Sequence, residues 1–128
     1  MLLDLDFFES INDNFGHSVG DEVLKAVATA LTECIRDEDC VARIGGEEFV
    51  VVVQGATADG LITLAKRIND SIASLKIPAL PIKKQITVSI GLTLLNKQDS
   101  LQSGLERADT YLYKAKDNGR NRFATDIA

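Results

Sequence analysis

The chain has 128 residues, of which 45% are hydrophobic and 26% are charged, so it is long enough for one domain with a sizeable core. The net charge of −5 argues against a general nucleic-acid binder, because no basic stripe is available to hold a phosphate backbone. No apolar run approaches the length of a membrane span, so we expect no direct membrane contact.

The two cysteines, Cys34 and Cys40, lack metal-ligand spacing and have no nearby histidine partner. We therefore expect two reduced thiols and a cytoplasmic location, with a disulfide between them as the alternative.

The first third of the chain predicts a strand, a loop and a helix. The apolar run Met1 to Phe8 is interrupted by two aspartates and predicts a strand, and the polar stretch Asn12 to Gly20 predicts a loop. Apolar residues at helical spacing then predict a helix from Asp21 to about Arg36.

A β-hairpin is predicted between Cys40 and about Gln54. Its two strands would be the apolar runs Cys40 to Ile44 and Phe49 to Val53, and its tip the four residues Gly45-Gly-Glu-Glu48. An ordinary polar hairpin tip is one interpretation of this segment. The other is a site that handles a cation or a proton, because glycine lets a ligand approach the main chain beside two carboxylates.

The rest of the chain continues to alternate between strands and helices. The predicted segments are a helix from Leu61 to Leu75, a loop or edge strand around Pro78 and Pro81, a strand from Gln85 to Leu95, a helix from Leu101 to Ala115 that ends at Asn118-Gly119, and a short strand from Arg122 to Thr125. The order β-α-β-β-α-β-α-β contains one hairpin, so we expect an α/β or α+β fold of palm type with a mixed central sheet.

Asp4 and Asp6 lie two positions apart on the predicted first strand, so both side chains should point to one face. In one interpretation Asp4 simply occupies an exposed strand end. In the other, Asp4 faces Glu47 across neighbouring strands and both bind Mg²⁺, because a hard divalent cation prefers carboxylate oxygens. Two such ions clamp the attacking and leaving oxygens in a phosphoryl or nucleotidyl transfer.

Several separate motifs follow one another along the whole chain. They are Asp4-Leu-Asp-Phe-Phe-Glu-Ser-Ile-Asn-Asp13, Phe15-Gly-His17, Gly20-Asp21, Gly45-Gly-Glu-Glu-Phe49, Val88-Ser-Ile-Gly91, Ala108-Asp109, Tyr113-Lys-Ala-Lys116 and Gly119-Arg-Asn121. In these motifs the chain resembles the GGDEF family of diguanylate cyclases. The resemblance implies a nucleotidyl cyclase fold similar to the palm of adenylyl cyclases and polymerases. It also implies condensation of two GTP molecules into cyclic di-GMP with release of pyrophosphate.

The resemblance further implies a metal site built from two of these motifs, the one that begins at Asp4 and the one that begins at Gly45. Asp4 and Glu47 would bind Mg²⁺ or Mn²⁺ together with the Leu5 carbonyl, and Glu48 would serve a second metal ion. Glu47 or Glu48 would accept the proton of the attacking hydroxyl. The spacing of the residues does not decide between these two carboxylates.

The same resemblance assigns residues to GTP. Asn12 and Asp21 would bind the guanine edge, because an amide both donates and accepts while a carboxylate accepts from guanine N–H groups. The backbone amides of Phe7 and Phe8 and the side chains of Lys116 and Arg120 would contact the β- and γ-phosphates. His17 would lie in the nucleotide-facing loop, and a local hydrogen bond within that loop is the alternative role for this residue.

A second, inhibitory site is implied by Arg36-Asp-Glu-Asp39, which is similar to the family's RxxD motif and stands five residues before Gly45. Arg36 and Asp39 would bind the product cyclic di-GMP, with Arg67 as an additional contact. A charged helix end followed by a turn is the alternative interpretation.

The resemblance also implies binding partners for the chain and shows where the chain departs from the family pattern. Since one domain holds one GTP, catalysis requires a two-fold homodimer. The family pattern has a helix before the first strand and a sensory or regulatory domain before that, so residues 1–128 are expected to be a GGDEF domain truncated at its N-terminus, with weak or no activity. Glu9 stands where the family usually has lysine, and its carboxylate would repel a triphosphate. The alternatives are a non-catalytic GTP- or cyclic di-GMP-binding regulatory module and a scaffold that only dimerises.

Overall fold

Strands and helices alternate in the computed structural model, which describes residues 1–127. The elements in chain order are β1 (Leu2–Leu5), α1 (Phe8–Phe15), α2 (His17–Cys34), β2 (Cys40–Arg43), β3 (Glu48–Val52), α3 (Ala58–Ala73), β4 (Val88–Leu92), α4 (Leu101–Asp117) and β5 (Arg122–Thr125). Within these residues, no helix combines the length and the apolar character needed to cross a membrane.

The five strands form one sheet in the order β2-β3-β1-β4-β5. Strand β1 runs antiparallel to both of its neighbours, β3 and β4, whereas β5 is parallel to β4. The mixed sheet with a β2–β3 hairpin that we predicted is therefore confirmed. All four residues of β1 are buried, because this strand lies at the centre of the sheet with helices on both faces.

The two faces of the sheet have different cores. Leu3, Leu5, Phe49 and Val51 point to the face that is covered by α1, α2 and α3. On the opposite face Leu2 packs against Ala108 and Leu112 of α4. The strand pleat therefore turns alternate residues of β1 towards α4, and Asp4 lies on the α4 face with Leu2.

Helix α4 lies unusually close to β4. An added Cβ at Gly91 would collide with the backbone of Ala108 and Leu112. The neighbouring face residue, Ser89, is small and fully buried. Glycine at position 91 is thus required by the close approach of two backbones.

The start of the chain differs from the prediction. We predicted a strand to Phe8 and a loop from Asn12 to Gly20, and both predictions are wrong. The strand ends at Leu5, because Phe7 has a positive φ of 57° and Phe8 begins α1. Helix α1 forms despite its polar sequence because Phe8 and Ile11 are buried in the core.

Gly16 separates α1 from α2 with φ 92°, a conformation that suits glycine. Helix α2 begins at His17, four residues earlier than predicted, and ends at Cys34. The hairpin tip lies one residue earlier than predicted, so Glu48 belongs to β3.

The remaining predictions agree more closely with the structure. Strand β5 has the predicted bounds, α4 ends at Asp117, and the segment around Pro78 and Pro81 is a loop. The predicted strand from Gln85 to Leu95 is shorter, because only Val88–Leu92 pairs with its neighbours. Both cysteines are free thiols: Cys34 is half-buried and Cys40 is exposed.

Replacing Gly91 with alanine should destabilise the fold by about 1–3 kcal/mol, because the new methyl group forces α4 away from β4. Chemical denaturation measures this change in the free energy of unfolding. Gly46→Ala is the matched control, since within residues 1–127 a Cβ built there meets no atom within 4 Å apart from those of Gly46 and its two chain neighbours. Equal stability of the two variants would contradict the close approach.

Candidate functional site

The site begins with a buried carboxylate at the centre of the sheet. Asp4 is 5% exposed, and Lys116 Nζ donates to its Oδ2 at 2.7 Å. Lys116 reaches Asp4 because α4 crosses the same face of the sheet. The interpretation of Asp4 as an exposed strand end is therefore wrong, and the buried charge has the partner it requires.

The hairpin places two more carboxylates beside Asp4. In the register of β1 and β3, Asp4 is directly opposite Glu48, not Glu47 as we expected. Glu47 stands next along the chain, and its carbonyl accepts a hydrogen bond from the Leu5 N–H at 3.2 Å. Both glutamates are half-buried and lie close to the end of β1.

Negative charge accumulates at this end of β1. The pKa of Glu47 is raised above its ordinary value, first by burial and then by the charges of Asp4 and Glu9, with Lys116 partly opposing the rise. A cation placed here would remove that electrostatic penalty. The hard oxygen donors of Asp4, Glu47 and Glu48 suit Mg²⁺ or Mn²⁺.

Within residues 1–127, no three histidine, cysteine, aspartate or glutamate side chains are arranged so that they could hold a metal ion by themselves. Mg²⁺ usually binds through one or two carboxylates and keeps water or substrate phosphates as its other ligands. The carboxylates at the end of β1 fit an ion of that kind.

An open cleft of about 500 Å³ adjoins these carboxylates. It is lined by Phe7, Phe8, Glu9, Ser10, Asp13, Asn14, Glu47 and Arg120. The structure thus brings together four predicted residues: Phe7, Phe8, Glu47 and Arg120. Lys116 does not line the cleft, because its ammonium group is engaged by Asp4.

The residues predicted for guanine lie on the two helices that meet at Gly16. Asn12 is on α1, and its side chain packs against Gly20, where a Cβ would collide with Asn12 Oδ1. That oxygen is buried and has no hydrogen-bond partner within the described part of the chain. Asp21 follows Gly20 on α2 and is exposed, as is His17, and none of the three lines the 500 Å³ cleft.

The three residues predicted for product binding surround one smaller pocket of about 190 Å³. Arg67 Nη2 donates to the Cys34 carbonyl at 3.0 Å, which fixes this guanidinium beside the end of α2. Asp39 accepts from the backbone N–H groups of Arg36 and Gln54, both at 3.1 Å. The Arg36 side chain is exposed and makes one long ion pair with Glu38 at 3.7 Å.

Sequence reasoning gave no role to Asp6 or to the ring of Phe7. Asp6 is 6% exposed and accepts hydrogen bonds from Thr87, Ser89 and the backbone of Asn121. The Phe7 ring lies under the Arg120 guanidinium, 4.7 Å from its centroid. The polar residues Thr87 and Ser89 in the predicted apolar strand Gln85 to Leu95 were the signal that could have indicated the hydrogen bonds to Asp6.

Sequence comparison finds relatives that cover nearly the whole chain. A family model described as "Diguanylate cyclase, GGDEF domain" matches residues 1–122. Diguanylate cyclase A of Treponema denticola is 42% identical over 123 residues, which cover 95% of the chain and 33% of that protein. Diguanylate cyclase DgcM of Escherichia coli is 44% identical over 122 residues, which cover 95% of the chain and 29% of that protein. The chain thus spans about a third of the length of these curated relatives.

Solved structures show the same fold. The active GGEEF domain of a diguanylate cyclase from Vibrio cholerae has a TM-score of 0.87 and 35% identity, covering 97% of this chain and 79% of that one. The GGDEF domain of DgcB from Caulobacter crescentus, solved in complex with c-di-GMP, has a TM-score of 0.90 and 35% identity, covering 97% and 74%. These similarities confirm the predicted fold class.

Replacing Glu47 with glutamine should stabilise the protein at neutral pH. When folding raises the pKa of a carboxyl group, ionisation of that group destabilises the folded protein. The destabilisation develops as the pH rises from 4.5, the ordinary pKa of glutamate, through the raised pKa. The gain from Glu47→Gln should therefore be present at about pH 7 and vanish at about pH 3.5, below the ordinary pKa. Thermal unfolding at the two pH values measures it.

The exposed Glu22→Gln on α2 controls for the loss of one negative charge. A gain for Glu47→Gln that is as large in acid as at neutral pH would contradict the electrostatic explanation.

Proposed function

Because the chain belongs to the GGDEF domain family, we propose that it acts as a diguanylate cyclase domain, condensing two GTP molecules into cyclic di-GMP and pyrophosphate. The observation that carries this proposal is the group of carboxylates around Asp4, which opens onto a cleft containing Arg120. Such a juxtaposition places oxygen ligands for a cation beside a donor for phosphate, as nucleotidyl transfer requires.

Asp4, Glu47 and the Leu5 carbonyl would hold Mg²⁺ or Mn²⁺, with Glu48 available to a second ion. A divalent ion there supplies charge neutralisation and a lowered pKa for the attacking hydroxyl. The raised pKa of Glu47 supports a cation at this place, since the folded chain alone disfavours its ionised form.

The cleft would hold the triphosphate. Arg120 provides a planar guanidinium for phosphate oxygens, and the amides of Phe7 and Phe8 lie at the start of α1, where the helix favours anions. Lys116 neutralises Asp4 in the structure, and we propose that it contacts the β- and γ-phosphates in the nucleotide complex.

The guanine base would lie at the α1–α2 corner. Among residues 1–127 the amide oxygen of Asn12 has no hydrogen-bond partner, and Asp21 presents an exposed carboxylate one residue after Gly20. Guanine N1–H and N2–H₂ are donors that suit these acceptors. His17 lies exposed at the start of α2, on the same corner.

Two such domains would face each other as a two-fold pair, because each holds one GTP. The 3′-hydroxyl of one GTP would attack the α-phosphate of the other, Glu47 or Glu48 would accept the proton, and pyrophosphate would leave as the bond between the α- and β-phosphates breaks. The same step in the opposite direction would close the ring and release the second pyrophosphate. The relatives are about three times as long as this chain, so we further propose that the domain is controlled by a sensory or regulatory domain in the whole protein.

The pocket around Arg36, Asp39 and Arg67 would bind the product and inhibit the enzyme. DgcB from Caulobacter crescentus was solved with c-di-GMP, which supports cyclic di-GMP as a ligand of this fold. The guanidinium of Arg36 is exposed, and the Arg67 guanidinium is already oriented by the Cys34 carbonyl.

One observation favours a second candidate function, a non-catalytic GTP- or cyclic di-GMP-binding regulatory module. Glu9 lines the phosphate cleft, and its charge also raises the pKa of Glu47. A carboxylate in that position weakens triphosphate binding and hence turnover. A module that only binds nucleotide does not need Asp4 and Glu47 placed together, as they are here, so we favour the enzyme.

Incubation with GTP and Mg²⁺ should yield cyclic di-GMP and pyrophosphate, both measurable by chromatography. Glu47→Ala should lower the rate by roughly 100-fold or more, because it removes a proposed ligand of the divalent ion that would neutralise charge on the transferring phosphate. Glu22→Ala, outside the site, should leave the rate unchanged. GTP binding without turnover in the unaltered chain would favour the regulatory module instead.

Arg36→Ala should raise the concentration of cyclic di-GMP needed for half-inhibition by about 10-fold or more, because a charge-assisted contact to the ligand is lost. Initial rates at increasing product concentration measure this. Lys25→Ala removes an exposed charge elsewhere on α2 and should change nothing. Unaltered inhibition in Arg36→Ala would place the product site elsewhere.

A further inference from the structure

We propose that the corner between β1 and α1, formed by Asp6 and Phe7, fixes the position of the Arg120 guanidinium at the mouth of the phosphate cleft. The role of Arg120 in holding phosphate rests on the proposed function. The fixing of its position rests on contacts in the structure and can be tested separately.

The backbone around Arg120 adopts a strained conformation. Arg120 and Asn121 have φ values of 63° and 48°, so two consecutive residues that are not glycine occupy the left-handed region. Such strain persists only where surrounding contacts determine the conformation, and it concentrates at functional sites. The turn between α4 and β5 therefore needs an anchor.

Asp6 provides that anchor. Its Oδ2 accepts from the Asn121 N–H at 3.0 Å and from Thr87 Oγ1 at 2.7 Å, and its Oδ1 accepts from Ser89 Oγ at 2.6 Å. Hydrogen bonds to a buried carboxylate are stronger than those between neutral groups. With three protein donors on a side chain that is 6% exposed, Asp6 is a positioning residue rather than a ligand for a cation in the cleft.

The rest of the turn is also held by the protein. The Arg120 N–H donates to the Ala115 carbonyl at 3.0 Å, and Arg122 Nε donates to the Arg120 carbonyl at 2.9 Å. Both backbone polar groups of Arg120 are thus engaged. Its side chain remains the only part of the residue to be oriented.

Phe7 orients this side chain. Phe7 is 63% exposed although large apolar residues usually avoid water, and its own φ of 57° is in the left-handed region. The Arg120 guanidinium lies over the ring, 4.7 Å from the centroid, which is within the range of a cation–π interaction. This contact accounts for the exposed position of Phe7.

The consequence is a preorganised phosphate-binding arginine. A guanidinium that is already held over a ring and on a fixed turn loses less conformational freedom when a phosphate binds. The side chain contributes its contacts without first being ordered by the ligand.

The first measurement does not depend on nucleotide. In NMR spectra of the full chain, the Arg120 side-chain protons should be shifted upfield by the Phe7 ring. The shift should persist in Phe7→Tyr, which keeps an aromatic face, and disappear in Phe7→Leu. An unaltered shift in Phe7→Leu, or no shift in the unaltered chain, would overturn the proposal.

The second measurement addresses Asp6 through the Asn121 amide. Hydrogen exchange of this N–H should be slow in the unaltered chain and at least about 10-fold faster in Asp6→Ala, which removes its acceptor. Equal exchange rates would contradict the anchor. If Asp6→Ala does not fold, the Phe7 variants decide the proposal.

A double-mutant cycle then tests the consequence for GTP. Phe7→Leu should weaken GTP binding by about two- to fivefold, and it should have no further effect in the Arg120→Ala background. Losses that simply add would show that Phe7 acts independently of Arg120 and would overturn the proposal. Absence of GTP binding by the unaltered chain would contradict the proposed function, whereas the NMR arm alone would still decide the positioning.

Discussion

The structure depends on one ion pair at the centre of its sheet. Asp4 lies on the middle strand, buried on the face that α4 covers, and its charge is matched by Lys116. Removing Lys116 would leave the Asp4 charge buried without a partner, a loss that typically costs about 3–5 kcal/mol. The helix must therefore approach the sheet closely and in a fixed register, which is what glycine at position 91 permits.

The same ion pair leaves the surrounding charges unbalanced. Lys116 offsets one carboxylate, yet the pKa of Glu47 is still raised, first by burial and then by the charges of Asp4 and Glu9. Arg120 is held a short distance away over an aromatic ring rather than against these acids. The fold thus separates acceptors for a cation from donors for an anion at neighbouring places, an arrangement that suits a nucleotide with its metal ion.

Much of the architecture was predictable because it follows from local patterns. Apolar periodicity and flanking glycines predicted the β2–β3 hairpin, α3, α4 and β5. The acidic tip of the hairpin was recognisable from its sequence alone. Helix α1 was not predictable in this way. Its residues Asn12 to Asn14 favour loops, and only the tertiary burial of Phe8 and Ile11 overrides that preference.

The contacts that organise the site were beyond local patterns for a different reason. Asp6 meets Thr87, Ser89 and Asn121 across sequence separations of 81, 83 and 115 residues. The two-residue spacing predicted Asp4 and Asp6 on one face of a longer strand, but β1 ends at Leu5. The spacing could not tell which aspartate would contact a lysine and which would receive three donors. The register of β1 and β3, which pairs Asp4 with Glu48, likewise depends on strand ends that the sequence leaves uncertain by one residue.

Asp39 ties the two ends of the β2–β3 hairpin together, since it accepts from Arg36 on one side and from Gln54 on the other. A carboxylate has about four lone-pair sites, so about two remain to accept hydrogen bonds from a ligand in the adjacent pocket. The residue proposed to bind the product thus also holds together the hairpin that carries Glu47 and Glu48. A substitution of Asp39 that abolished the proposed product inhibition would therefore also loosen the β2–β3 hairpin.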